Sequence, residues 1–232
     1  MFGPIRQVVF DFDGTLVNTM PSIIKGLGMA ARLGSGKEIS DHELVKSFGA
    51  APSGVLAKWM PSDQVPAALK HWEDFQATLA PAEIAPFEGI PEMLAALKTQ
   101  SVRLAIFTGR DRATAEKIIR AHGWWETYFD ADTILAGDDG FPVKPQSEGL
   151  AQFLKKLSFD PTTTLMVGDH EYDALAGRGA GCKTAAALWD LPAGQGTQRS
   201  RFREAWTKWE KIPVDLRLVA PGSLLEWLAR PV

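Results

Sequence analysis

Short β-rich apolar runs alternate with stretches of helical periodicity along most of this chain, and one long, purely helical interruption lies near its start. Residues 7–10 form a buried strand, because the run is too short for a helix and Val8, Val9 and Phe10 favour extended backbone. From Pro21 the period becomes helical, with Ile23, Ile24, Leu27, Met29, Ala30 and Ala31 as the apolar positions, until Gly34-Ser35-Gly36 breaks it. Ser40-Asp41-His42-Glu43 has the form of a capping box that opens a second helix. A small-residue loop from Gly49 to Gly54 follows, then helical stretches over 56–60 and 65–79, the latter carrying Ala67, Ala68, Trp72 and Phe75.

At Pro86 the pattern changes. A helix over 91–99 has Pro91 in its first turn, where the missing N–H is harmless. A strand over 102–107 ends in Thr108-Gly109-Arg110, and a helix over 112–122 is closed by Gly123. A short strand region over 129–135, a helix over 148–157 and a strand over 164–167 running into Gly168-Asp169 come next, then a helix over 173–179 and a strand over 183–188. Alternation of this kind predicts βαβ units and a parallel sheet. The expected fold is α/β: a Rossmann-like, doubly wound core from residues 1–17 and 87–232, with an all-helical insert at 18–86.

Towards the C-terminus, Phe202, Trp206 and Trp209 share one helical face, with Arg199, Arg201, Arg203, Lys208 and Lys211 nearby. An aromatic stripe at this spacing marks a helix packed on the core, in preference to a dimer or partner surface. Ser223-Leu224-Leu225-Glu226 predicts a capping box for a final helix that turns Leu225 and Leu228 inward.

Composition narrows the class. With 232 residues, 45% hydrophobic and 23% charged, the chain can bury a sizeable core as a soluble globular protein. A net charge of −3 gives no reason to expect nucleic-acid binding. A single cysteine, Cys182, excludes an internal disulfide and a cysteine metal cluster. Neither a signal-peptide core nor an apolar run of membrane-spanning length is expected, so the expected compartment is cytoplasmic.

The chemistry gathers at predicted strand ends. Asp11-Phe12-Asp13-Gly14-Thr15-Leu16 follows the first strand and crowds two carboxylates where the backbone turns sharply. Such crowding is costly unless a proton or cation neutralises it. A Mg²⁺ site beside a nucleophilic carboxylate would do so and suits phosphate chemistry. Thr108 follows a second strand and Asp169 a later one, and ligands of open α/β sheets bind beyond the carboxyl ends of strands. Thr108 and Asp169 could each serve as a helix cap, and His42, His71 and His122 have no metal-ligand spacing.

Four motifs in order make the chain resemble the haloacid dehalogenase superfamily, in its phosphoglycolate phosphatase-like branch with a C1-type helical cap. They are Asp11-Phe12-Asp13-Gly14-Thr15, Thr108 in Phe107-Thr108-Gly109-Arg110, Lys144 in Val143-Lys144-Pro145, and Gly168-Asp169-His170-Glu171-Tyr172-Asp173. The resemblance implies that Asp11 is the nucleophile and Asp13 the general acid and base. It implies Mg²⁺ held by Asp11, the Asp13 carbonyl and Asp169, and Asp173 orienting metal-bound water or Lys144. Thr108, Gly109 and Lys144 would bind the phosphoryl group, and cap residues around 46–58 would select the substrate. Three features depart from the family pattern: Asn18 where many relatives have Asp, His170 where a small hydroxyl residue is common, and a long Trp-rich segment over 189–212.

The implied activity is Mg²⁺-dependent hydrolysis of a small phosphorylated metabolite through an aspartyl-phosphate. A monomer or homodimer acting on a small-molecule phosphate ester is expected. Asp13 argues against the dehalogenase branch, and a phosphonoacetaldehyde hydrolase would need a cap lysine that is not evident. A β-phosphoglucomutase-like phosphomutase would share all four motifs. A receiver-type signalling module would carry its acceptor Asp on an internal strand, without so large an insert. A catalytically idle binding protein would not need all four motifs intact.

Overall fold

The computed structural model of the chain describes residues 4–46, 52–80, 84–189 and 209–229. In chain order its elements are β1 (Gln7–Phe10), α1 (Met20–Ser35), α2 (Asp41–Lys46), α3 (Pro52–Leu56), α4 (Val65–Thr78), α5 (Ile90–Thr99), β2 (Arg103–Phe107) and α6 (Arg112–Ala121). They continue with β3 (Ile134–Leu135), α7 (Ser147–Lys156), a 3₁₀ turn (Pro161–Thr163), β4 (Thr164–Gly168), α8 (Glu171–Gly179), β5 (Lys183–Ala187), β6 (Leu216–Leu218) and α9 (Gly222–Leu228). Contacts divide the chain into two compact units, Met1–Asn18 with Ala85–Val232, and Thr19–Ile84.

The first unit is built on a six-stranded parallel sheet in the order β3-β2-β1-β4-β5-β6. β1 lies between β2 and β4, with Phe10 level with Ile106 on one side and Val167 on the other. A central strand of a parallel sheet is apolar on both faces. Val9 accordingly packs with Phe107, Phe153 and Met166, while Val8 and Phe10, on the opposite face, are also fully buried. This register brings the ends of β1, β2 and β4 to one height. The doubly wound α/β architecture expected from the alternation of elements is the one observed.

The helical unit holds α1 to α4. Leu27, Ala30, Ala31, Leu44, Leu56 and Ala68 form its core. Met29, expected on the apolar stripe of α1, is instead 47% exposed, because the buried face follows 27, 30 and 31 at helical spacing and 29 falls off it. The capping box forms: Glu43 accepts from the Ser40 N–H at 3.0 Å, and Ser40 Oγ accepts from the Glu43 N–H at 3.4 Å.

Several expected boundaries move. The helix placed at 56–60 lies earlier, at Pro52–Leu56, where Pro52 takes the first helical position and the stretch before Pro61 turns instead. The strand region over 129–135 shrinks to Ile134–Leu135, because the Asp130 carboxylate accepts the N–H groups of Asp132 and Thr133 and closes a turn. β6 has no signal in the sequence: three residues with Arg217 in the middle give no period. The capping box expected at Ser223 is not made. Helix α9 starts at Gly222 behind Pro221 without a side-chain cap, and Leu224 rather than Leu225 is the buried leucine. Of the aromatic stripe, Phe202 and Trp206 lie outside the described residues, as do Arg199, Arg201, Arg203 and Lys208. Trp209 is buried against Ala174, Ala186 and Leu188, and Lys211 is exposed.

Candidate active site

At the end of β1 the chain must turn at once, and the sequence supplies the means. Asp11 continues the ladder, its N–H donating to the Val167 carbonyl at 2.8 Å. The Phe12 carbonyl then accepts from Leu16 and Val17 at 2.9 and 3.1 Å, and Gly14 donates to the Val17 carbonyl at 2.9 Å. Gly14 has φ +77°, and a Cβ there would lie 2.5 Å from Asp169 Oδ2, so backbone conformation and clearance both require glycine. Thr15 ties this turn to the end of β4 by donating from Oγ1 to Asp169 Oδ1 at 3.2 Å, and its carbonyl accepts from the Trp189 indole at 2.9 Å.

Lys144 joins two of the acidic residues. Its Nζ donates to Asp11 Oδ1 at 2.6 Å and to Asp173 Oδ1 at 2.7 Å, and all three side chains are almost wholly buried. The same amine lies over the Phe107 ring, 5.4 Å from its centroid. Burial pushes the Asp11 carboxyl up to about 7, against the opposing charge of Lys144, and Asp173 and Asp13 add to the rise. Burial alone would discharge Lys144, but the charges of Asp11 and Asp173 outweigh it and hold the amine above its ordinary range.

Asp11, Asp169 and Asp173 can each offer one oxygen within 4.8 Å of the others. This set consists of hard oxygen donors, which suits Mg²⁺ or Ca²⁺ and not a soft metal. The acidic crowding, relieved by one lysine, leaves charge for a divalent cation to balance, so the residues fit such an ion. Asp173 has a second task. It sits in the first turn of α8, and its Oδ2 accepts the His170 N–H at 3.0 Å. His170 returns the bond pattern, its Nδ1 accepting the Tyr172 N–H at 3.3 Å. His170 is therefore the cap of α8. Asp169 is not, and Thr108 does not cap α6, where Asp111 accepts the Thr114 N–H at 2.8 Å.

Thr108 is buried at the end of β2, its N–H donating to the Leu135 carbonyl at 2.9 Å and its Oγ1 accepting from the Arg110 N–H at 3.1 Å. Gly109 follows it, with open space where a side chain would stand. The Asp13 carboxylate does not join the acidic group around Lys144. It is gripped by Arg110, whose Nε reaches both oxygens at 3.0 Å and whose Nη2 reaches Oδ1 at 2.8 Å. Arg110 is 8% exposed, and its charge is reinforced by Asp13 despite burial. The sequence alone gives Arg110 no role. Its place two residues after Thr108, beyond a strand end, was the only available signal. Of the stretch over 46–58 expected to select the substrate, residues 47–51 lie outside the described residues.

Fold and acidic strand-end cluster together define an α/β enzyme. The chain belongs to the haloacid dehalogenase-like hydrolases, whose family pattern matches residues 8–187. Among curated proteins it is similar to the pyrophosphatase PpaX of Halalkalibacterium halodurans, 32% identical over 184 residues, covering 78% of this chain and 82% of that one. Among solved structures it resembles a predicted phosphoglycolate phosphatase from Haemophilus somnus 129PT, with a TM-score of 0.77, 20% identity, and 96% and 97% of the two chains covered. It also resembles a hydrolase of the same family from Deinococcus radiodurans R1, solved with bound phosphate and sodium, with a TM-score of 0.69, 20% identity and 99% of both chains covered. The last two likenesses are of fold.

Proposed function

We propose that this protein is a Mg²⁺-dependent phosphatase that hydrolyses a small phosphorylated metabolite through an aspartyl-phosphate. The observation that carries the reading is Lys144 bridging Asp11 and Asp173 beside Asp169. An amine in that position balances a nucleophilic carboxylate and leaves the oxygen donors beside it for a cation. Asp11, Asp169 and the Asp13 main-chain carbonyl would hold Mg²⁺, with Asp173 in support. When bound, the ion supplies charge neutralisation for the transferring phosphoryl group.

An Asp11 oxygen attacks phosphorus, and the bond to the ester oxygen breaks. Asp13, which takes up a proton as it leaves Arg110, gives it to that leaving oxygen. Water then attacks the phosphorus of the aspartyl-phosphate and passes a proton to Asp13. The P–O bond to Asp11 breaks, and orthophosphate leaves. Thr108 Oγ1, the Gly109 N–H and Lys144 stabilise the phosphoryl oxygens throughout. Asp13 must exchange Arg110 for the ester oxygen when substrate enters, because both its oxygens are engaged. Substrate selection would fall to the helical unit, as the family resemblance implies.

Similarity to a pyrophosphatase favours substrates in which the reacting phosphate sits near a second anionic group. The test is release of orthophosphate from p-nitrophenyl phosphate, pyrophosphate, 2-phosphoglycolate and a set of sugar phosphates, with Mg²⁺ and with excess chelator. Turnover that chelator abolishes is the expected result. No release from any substrate by Mg²⁺-loaded protein would end the reading, and isomerisation of a sugar phosphate without net release would replace it with phosphomutase activity.

A further inference from the structure

The turn that carries Thr108 and Gly109 is held from one side by a segment outside all four motifs. After β3 the chain runs through Ala136-Gly137-Asp138-Asp139. The Gly137 N–H donates to the Arg110 carbonyl at 2.9 Å. A Cβ on Gly137 would lie 2.4 Å from the Gly109 carbonyl oxygen and 2.9 Å from its carbon, so the two backbones touch with no room for a side chain. On the other flank of the turn, Asp138 Oδ1 accepts the N–H of Arg112, the first residue of α6, at 2.8 Å.

Asp139 fixes this segment in turn. Its Oδ2 accepts the Ala136 N–H at 2.8 Å and also the Arg112 Nη2, and its Oδ1 accepts the Arg112 Nε at 2.7 Å. Arg112 Nη2 reaches back to the Ile134 carbonyl at 2.8 Å, and Nη1 to the Ala131 carbonyl at 3.2 Å. Arg112 is thus a staple between the start of α6, the end of β3 and the following loop. Burial would raise the Asp139 carboxyl, but the Arg112 bonds and the Ala136 N–H bring it below its ordinary range.

Accepting the phosphatase reading above, we propose that Gly137, Asp138 and Asp139, held by Arg112, are positioning residues that set the Thr108–Gly109 turn to receive the phosphoryl group. They touch no reacting atom. They act through the backbone of 108–112, whose Gly109 has nothing packed against its own side-chain position. Displacement of a binding group by an ångström can cost about a hundredfold in rate. The Gly137→Ala contact demands a shift approaching that size in the Gly109 peptide.

The experiment compares Gly137→Ala, Asp139→Ala and Asp139→Asn with the parent, each as the full chain, Mg²⁺-loaded for phosphate binding and turnover and chelator-stripped for Mg²⁺ titration. Calorimetry gives the affinity for inorganic phosphate and, separately, for Mg²⁺, and steady-state assays give kcat and KM. The expected result is phosphate affinity about tenfold weaker or worse in Gly137→Ala and Asp139→Ala, and an intermediate loss in Asp139→Asn, which keeps one acceptor for Ala136 and Arg112. KM rises with the phosphate dissociation constant, while Mg²⁺ affinity stays within about twofold, because Asp11, Asp169 and Asp173 belong to other elements. If Gly137→Ala does not fold, Asp139→Asn decides. Unchanged phosphate affinity, or Mg²⁺ affinity falling in step with it, overturns the proposal. Absence of turnover by the parent chain would strike the phosphatase reading instead, since phosphate and Mg²⁺ binding are measured without catalysis.

Discussion

Asp11 is a carboxylate held in a dry place beside one cation. Its carboxyl is raised by burial from 3.8 to about 7, so the folded chain holds this proton more tightly than the unfolded one. The stability this group contributes is fully present below the unfolded value and is lost as pH rises through about 7. Asp11→Asn removes that loss. In chelator, its denaturant midpoint is expected to fall less than the parent's between about pH 4 and 8 and to lie above it at the alkaline end. Turnover of the variant is expected to drop about 10⁴-fold or more, as for a lost nucleophile. An unchanged pH slope, or retained turnover, would refute the role assigned to Asp11. Asp11, Asp13 and Asp169 stood out in the sequence because each lies within a few residues of an apolar strand, and the turn chemistry is local. Arg110 did not. Its meaning comes from a partner 97 residues away, and a lone arginine after a strand is ordinary without it. The Arg112–Asp139 pair was hidden for the same reason.

Among the elements, α8 shows how one short segment serves packing and chemistry together. His170 caps it through Nδ1, while Asp173 in its first turn accepts the His170 N–H and also the Lys144 amine. A hydroxyl residue, common in relatives at the His170 position, would be equally suited to capping. His170→Ser is therefore expected to keep stability, and His170→Ala to lose about 1 kcal/mol in denaturant unfolding, with KM unchanged in both. A large rise in KM for either variant would show that this side chain also acts on substrate. The principal helices and strands were legible from periodicity, since each presents an apolar stripe or a β-rich run. What escaped was short or decided by local side-chain bonds. β6 has three residues, the turn at Asp130–Thr133 is set by one carboxylate, and α9 starts behind a proline although a serine cap was on offer.

At the scale of the whole chain, the sheet unit has its own closure where the helical unit leaves and returns. The Asn18 N–H donates to the Ala85 carbonyl at 2.8 Å, Phe87 donates to Leu16 at 3.2 Å, and Val17 pairs with Pro86. Replacing 19–84 by a short glycine linker is expected to leave a sheet unit that unfolds cooperatively and still binds Mg²⁺, because its core and its acidic residues are drawn from the remaining segments. A broad, non-cooperative melt would show that the sheet depends on the insert. The parallel α/β class was readable from alternation, but the strand order was not, since β1 takes neighbours that begin at residues 103 and 164. That order has a consequence during synthesis. The strand that leads into Asp11 is made before either of its neighbours, and it keeps an open edge until β4, more than 150 residues later, has been translated. A chain stalled before β4 lacks Asp169 and Asp173 as well as the strand that would flank Asp11, so the nascent polypeptide carries an unarmed carboxylate until β4 and α8 follow.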